Sequence, residues 1–96
     1  MIYITQLIYI VPGQELVFNE FERMAIPVIS KYNGRLLLRI KPGHVIEANI
    51  EVPYEIHLVQ FETAEDFERF KQDEGRKAFL HLKEKSVRET LLITGS

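Results

Sequence analysis

Ile56-His57-Leu58-Val59, a turn, then Phe67-Glu68-Arg69-Phe70-Lys71: this stretch decides the fold, because the chain has already written it once. The first half reads Leu7-Ile8-Tyr9-Ile10, a turn, then Phe18-Asn19-Glu20-Phe21-Glu22. The paired phenylalanines recur at a constant offset of 49 residues, as do Leu7/Ile56, Tyr9/Leu58 and Ile10/Val59. An apolar strand followed by a helix, repeated once in a short chain, is a statement about architecture.

Working outward, residues 2–11 are rich in Ile, Tyr and Val and read as a strand that Pro12-Gly13 ends. From Gln14 the apolar spacing becomes helical, with Val17, Phe21, Met24, Val28 and Tyr32 on one stripe. Pro27 interrupts that stripe. It lacks an N–H and presses on the carbonyl of Arg23, so the spacing predicts a kink or stutter there. Asn33-Gly34 stops the helix, the glycine being suited to a left-handed C-cap. A second strand, Arg35 to Ile40, closes at Pro42-Gly43. Residues 44–53 either extend that hairpin or form a loose arm. The third strand spans Tyr54 to Phe61. Thr63 is placed to cap the helix bearing Phe67 and Phe70, and Asp66 suits its positive end. Gly75 breaks or bends that helix. A further helical stretch from Arg76 to about Val87 carries Phe79 and Leu82, and Glu89 to Thr94 forms a last strand.

The order β-α-β-β-α-β with right-handed crossovers predicts a single α+β domain over residues 1–96. It is a ferredoxin-like βαββαβ sandwich with a four-stranded antiparallel sheet in the order 4-1-3-2 and the helices on one face. The first and third strands are then central. Both carry apolar side chains on both faces: Ile2, Ile4, Ile8 and Ile10 against Tyr3, Leu7, Tyr9 and Val11, and Ile56 and Leu58 against Val59 and Phe61. A sheet with one wet face alternates more cleanly than this. Helices cover one face only, so the other calls for a partner, and a two-fold homodimer through that face is the simplest one.

Composition narrows the classes. The chain has no cysteine, which removes disulfides and thiolate chemistry. A net charge of −2 gives no electrostatic reason to bind nucleic acid or an anionic membrane. No apolar run reaches membrane-spanning length, and Met1-Ile2-Tyr3 enters a strand directly without a secretion signal, so a cytoplasmic location is expected. An RNA-recognition module shares the topology, but the third strand lacks the glycine-punctuated aromatic motif that module uses.

Two segments carry a family resemblance. Lys31-Tyr32-Asn33-Gly34-Arg35-Leu36-Leu37-Leu38-Arg39, with Pro27 upstream, resembles the helix-to-strand junction of the domain of unknown function numbered thirteen-thirty. Pro53-Tyr54-Glu55-Ile56-His57-Leu58-Val59-Gln60-Phe61-Glu62-Thr63 is similar to that family's third strand and the turn after it. Where the family usually has Gly-Gly, this chain has Asn33-Gly34, and asparagine also tolerates the left-handed region. The resemblance implies a dimeric α/β barrel, two ferredoxin-like sheets packed face to face. That superfamily holds cofactor-free monooxygenases, lactone isomerases, haem-dependent enzymes and non-catalytic binders, and the small family supplies no catalytic residues to carry over.

Among single residues, His57 stands out on a central strand with Glu55 two positions before it on the same face. An imidazole beside a carboxylate serves as a general base, or else as an inert histidine of the core or dimer interface. Arg35 and Arg39 are expected to share a face of the second strand. They would hold an anionic substrate or guard an edge strand. Tyr9 and Gln6, with Tyr3 and Gln60, are candidate orienting groups of a pocket. The candidate ligand set is therefore Arg39, His57, Tyr9 and Gln6, with His57 the weak catalytic candidate. His44, His57 and His81 form no metal pattern, Ser30 and Ser86 have no adjacent base, and no cofactor is expected. Three readings stay open: a homodimeric binder of a small organic molecule, a cofactor-independent enzyme of the monooxygenase or isomerase kind, and a non-catalytic regulatory or interaction module.

Overall fold

The computed structural model describes residues 1–95. Its elements are β1 (Ile2–Ile10), α1 (Glu15–Ile29), β2 (Gly34–Ile40), β3 (Glu55–Phe61), α2 (Ala64–Lys71), α3 (Leu80–Ser86) and β4 (Val87–Gly95). Short 3-10 turns occupy Ser30–Tyr32 and Glu74–Ala78. The strands form one antiparallel sheet in the order β2-β3-β1-β4, the ferredoxin-like order read from the sequence. It is an open sheet whose β2 and β4 edges do not meet.

Local chemistry explains where the elements stop. The Thr63 hydroxyl accepts the Asp66 N–H at 3.0 Å and caps α2. α1 continues past Pro27 to Ile29 and then tightens into the 3-10 turn, where the Ser30 hydroxyl donates to the Pro27 carbonyl at 3.0 Å. The left-handed residue at the junction is Asn33 (φ 57°), not the expected Gly34. Gly34 is needed for a different reason: a Cβ there would lie 2.6 Å from both Ile29 Cγ2 and Phe61 Cε1. The start of β2 is thus pressed between the end of α1 and the end of β3.

The stripe that α1 buries is Phe18, Phe21, Glu22, Ala25 and Ile29; of the expected stripe Val17, Phe21, Met24, Val28 and Tyr32, only Phe21 is buried. The true stripe contains a carboxylate, and following apolar residues alone rotates the reading away from it. Ile4, Ile29, Val59, Phe61 and Phe67 form the main core, and Phe21, Ala25 and Phe79 a second cluster beneath α3. Residues 41–54 form an arm, not a longer hairpin. The Tyr54 N–H donates to the Ile8 carbonyl (2.8 Å), the Tyr9 hydroxyl to the Glu51 carbonyl (2.8 Å), and Arg88 pairs with Glu51.

Candidate functional site

Strand parity places the site. Along β3, Glu55, His57, Val59 and Phe61 point under the helices, and Ile56, Leu58 and Gln60 point to the opposite face. The register sets Ile8 opposite Glu55 and Gln6 opposite His57, so those β1 side chains share the helix-covered face. On β2, Leu36 pairs with Val59 and Leu38 with Leu58, which leaves Leu37 as an extra, bulged residue. The bulge reverses parity. Arg35, opposite Gln60, lies on the uncovered face, whereas Arg39, opposite His57, lies on the covered one. The expectation that the two arginines share a face is therefore corrected.

Four charged or ionisable groups meet there. Arg39 grips Glu55 with both ends of its fork, Nε to Oε1 at 2.7 Å and Nη2 to Oε2 at 3.2 Å. His57 Nε2 lies 2.8 Å from Glu55 Oε1. An ionised carboxylate only accepts, so Nε2 carries the proton and donates to it. That leaves the lone pair of Nδ1 facing Glu22 Oε2 of α1, 3.9 Å away. Glu22, Glu55 and His57 are all buried.

The surroundings drive their acidities apart. Burial raises the Glu55 carboxyl, but hydrogen bonds from Arg39 and His57 outweigh it and hold the group below its ordinary 4.5. Burial pushes His57 below 6.5 against the pull of Glu55, which favours the neutral imidazole. Glu22 has no such donors. Burial lifts its carboxyl to about 7, with the charge of Arg39 opposing the rise. Near neutrality Glu22 is divided between its two protonation states, beside an imidazole with a free lone pair.

This cluster borders a cavity of about 460 Å³ between sheet and helices. Gln6, Glu22 and His57 supply polar points beside apolar groups such as Ile4, Ile8, Phe21 and Ala25, and charged side chains from the region of α2 and α3 also line it. Of the sequence-derived candidates, Gln6 and His57 line the cavity, and Arg39 joins through Glu55. Tyr9 does not join them. It lies on the other sheet face with its hydroxyl spent on the Glu51 carbonyl and the Arg88 guanidinium 5.5 Å from its ring. Sequence reasoning missed Glu22, whose signal is a carboxylate inside the Phe18–Phe21–Ala25–Ile29 stripe. It also missed Arg76 and Lys83, which line the cavity from the turn before α3 and from α3 itself.

No protein-family model matches the chain. No curated protein matches it either. Solved structures share its fold. An uncharacterized NIPSNAP domain protein from Burkholderia xenovorans superposes with a TM-score of 0.75 at 14% identity, over 100% of this chain and 93% of that one. A putative antibiotic biosynthesis monooxygenase from Nitrosomonas europaea gives 0.74 at 12% identity, over 100% and 97%. A protein from Bacteroides fragilis, described as dimeric, of unknown function and with a ferredoxin-like fold, gives 0.72 at 11% identity, over 99% and 94%. At such identities the likeness establishes the ferredoxin-like fold and nothing about chemistry.

Proposed function

We propose that this protein binds a small organic molecule in the cavity between its sheet and helices, and does so as a two-fold dimer joined through the uncovered sheet face. The observation that carries the reading is the buried Glu22–His57–Glu55 cluster, clamped from its outer side by Arg39, at the wall of a largely apolar cavity of about 460 Å³. Such a volume suits one small ligand, and a few polar points in an apolar wall orient one. The dimer rests on the uncovered face. Leu38, Ile40, Leu91 and Ile93 are exposed there beside half-buried Ile56 and Leu58, a larger apolar patch than a monomer ordinarily leaves wet. The description of the Bacteroides fragilis neighbour as dimeric supports it, as does the resemblance to the domain of unknown function numbered thirteen-thirty, whose superfamily pairs sheets face to face. A cytoplasmic setting and an absence of nucleic-acid or membrane partners belong to the same reading. No helix among the described residues is long and apolar enough to cross a membrane.

Light scattering tests the dimer: about twice the 11.3 kDa chain mass at micromolar concentration is expected, and a monomer overturns it. Amide-detected NMR with a set of small apolar and aromatic fragments tests the cavity. Shifts at Gln6, Glu22 and His57 are expected, and a full set that leaves these resonances unmoved refutes ligand binding there.

One observation favours a second reading, a cofactor-independent enzyme of the monooxygenase or isomerase kind: the Glu22 carboxyl titrates at about 7 on the cavity wall. It would exchange a proton with a bound carbon acid, with His57 as its neighbour. Deuterium incorporation into a bound carbonyl compound from D2O, lost in Glu22→Gln while binding persists, is the expected signature. Exchange that survives in Glu22→Gln rules the role out.

A further inference from the structure

The cavity holds two cations that make no ion pair or hydrogen bond with the cluster at His57, although Glu22 feels the charge of both. Arg76 lies in the Glu74–Ala78 turn and Lys83 in α3, and both line the cavity. Other lysines on the same wall are neutralised by neighbours: Lys71 pairs with Glu68 at 2.9 Å and Lys77 with Glu74 at 2.8 Å. Among the described residues, no carboxylate lies within ion-pair distance of Arg76 or Lys83. Arg76 gives Nη1 to the carbonyls of Phe70 (3.3 Å) and Lys71 (3.5 Å) and stacks on the Phe70 ring at 4.5 Å. Its Nε–H is buried without any hydrogen-bond partner. A buried donor left open is costly unless something fills it.

The geometry points to an organic anion as the occupant: a small monocarboxylate whose charged end sits between Arg76 and Lys83 and whose apolar body lies along Phe21, Ala25 and Leu92. This rests on the ligand-binding reading above and names the class of ligand. Arginine and lysine on one wall, with Glu22 as a nearby acid but no carboxylate at ion-pair distance, offer charge-assisted donors to a carboxylate, and the Arg76 fork suits its planar geometry. The cavity's own acids do not compete. Asp73 is already engaged by Tyr32, Lys31 and the Arg76 backbone N–H, and Glu55, held by Arg39 behind the wall, does not line the cavity. Glu22, the remaining one, is partly protonated at neutrality. Burial, together with the charge of Arg76, pulls the Lys83 ammonium below its ordinary 10.5, the condition an incoming anion would reverse.

The test compares three probes of one chain length, octanoate, octanol and octylammonium, titrated into the full chain and followed by amide NMR. Octanoate is expected to bind about tenfold more tightly than octanol, as a charge-assisted hydrogen bond allows, and octylammonium more weakly than either. Lys83→Met, which keeps the aliphatic stem, is expected to remove most of octanoate's advantage and leave octanol's affinity unchanged. Arg76→Gln should do the same without introducing an apolar side chain. Equal binding of octanoate and octanol overturns the anion assignment and leaves the ligand cavity standing, as does preference for octylammonium. Failure of all three to move the Gln6 and His57 resonances overturns both.

Discussion

The two faces of the sheet each depart from the usual order, one by carrying charges beside the core and the other by carrying apolar groups without a cover. The face covered by α1, α2 and α3 carries the ionisable groups Glu55, His57 and Arg39, with Glu22 pressed onto them from α1. The face that no helix covers carries Leu38, Ile40, Ile56, Leu58, Leu91 and Ile93. An antiparallel sheet wet on one side ordinarily keeps charges off its covered face and large apolar groups off the other. Each face therefore carries one departure from that pattern, and the two departures have different origins. The apolar outer face can be relieved only by another surface, which the proposed dimer would supply. The charged inner face is relieved internally by bidentate pairing, and where pairing stops, at Glu22 and at Arg76, open valences remain next to a cavity.

The sharpest way to break the comparison is to put a charge on the outer face. Leu58→Glu places one carboxylate on each protomer where the two-fold sheets would meet. The desolvated like charges cost several kcal/mol, enough to abolish association at micromolar concentration. Light scattering should then report a monomer, with NMR spectra still those of a folded chain. A persistent dimer would mean that the contact lies elsewhere. On the inner face, Arg39→Met strips Glu55 of its main partner and is expected to destabilise by about 3 kcal/mol in urea titrations at one fixed protein concentration. Arg39→Met combined with Glu55→Gln should recover most of that, because the cost comes from an unpaired buried carboxylate. If the double variant is as unstable as the single one, Arg39 acts through packing instead.

The next effect depends on pH, and its sign follows from Glu22. The folded carboxyl keeps its proton up to about 7, whereas the unfolded chain releases it near 4.5, so stability falls as pH rises through that window and levels off above it. The displacement corresponds to about 3 kcal/mol. Glu22→Gln, which cannot ionise, is expected to match the natural protein below pH 4.5 and to exceed it by about 3 kcal/mol at about pH 8.5. His57 works the other way. Its folded acidity is displaced below 6.5, so its contribution is lost as pH falls beneath that value. In the natural protein the two slopes partly cancel, and in Glu22→Gln the histidine slope should stand alone. Urea midpoints across pH measure both, and a difference that does not grow with pH would place Glu22 in a wetter setting than the structure gives.

The fold was legible because its signals are periodic. Phe18/Phe21 and Phe67/Phe70 recur with their strands at one offset, and Pro-Gly or Asn-Gly pairs punctuate the junctions. The two-sided apolar character of β1 and β3 marks the outer face as apolar in the sequence itself. Half of the site was legible too, since Glu55 and His57 alternate on one strand. The rest was hidden by single-residue slips. Glu22 sits on the buried stripe of α1, and an apolar-only reading turns past it. Arg35 and Arg39 flank three leucines in a row, a run with no alternation, so nothing in the sequence shows that Leu37 is the extra residue.

That slip supplies the smallest effect and the cleanest control. Arg35 and Arg39 stand on one strand, four positions apart, carry the same charge and are both at a sheet edge. Spacing alone assigns them one face and hence one role. The bulge assigns them opposite faces, with Arg39 bound to Glu55 and Arg35 exposed on the edge strand of the outer face beside Gln60. An exposed arginine without a fixed partner contributes little, so Arg35→Met is expected to change stability by less than about 0.5 kcal/mol. It should also leave the pH profile and the His57 resonances as they are. Since Arg39→Met makes the same chemical change at about 3 kcal/mol, the ratio between the pair reads out the bulge itself. Equal losses would mean that β2 runs in unbroken register. In that case Arg39 would belong to the outer face and Glu55 would need another counter-charge.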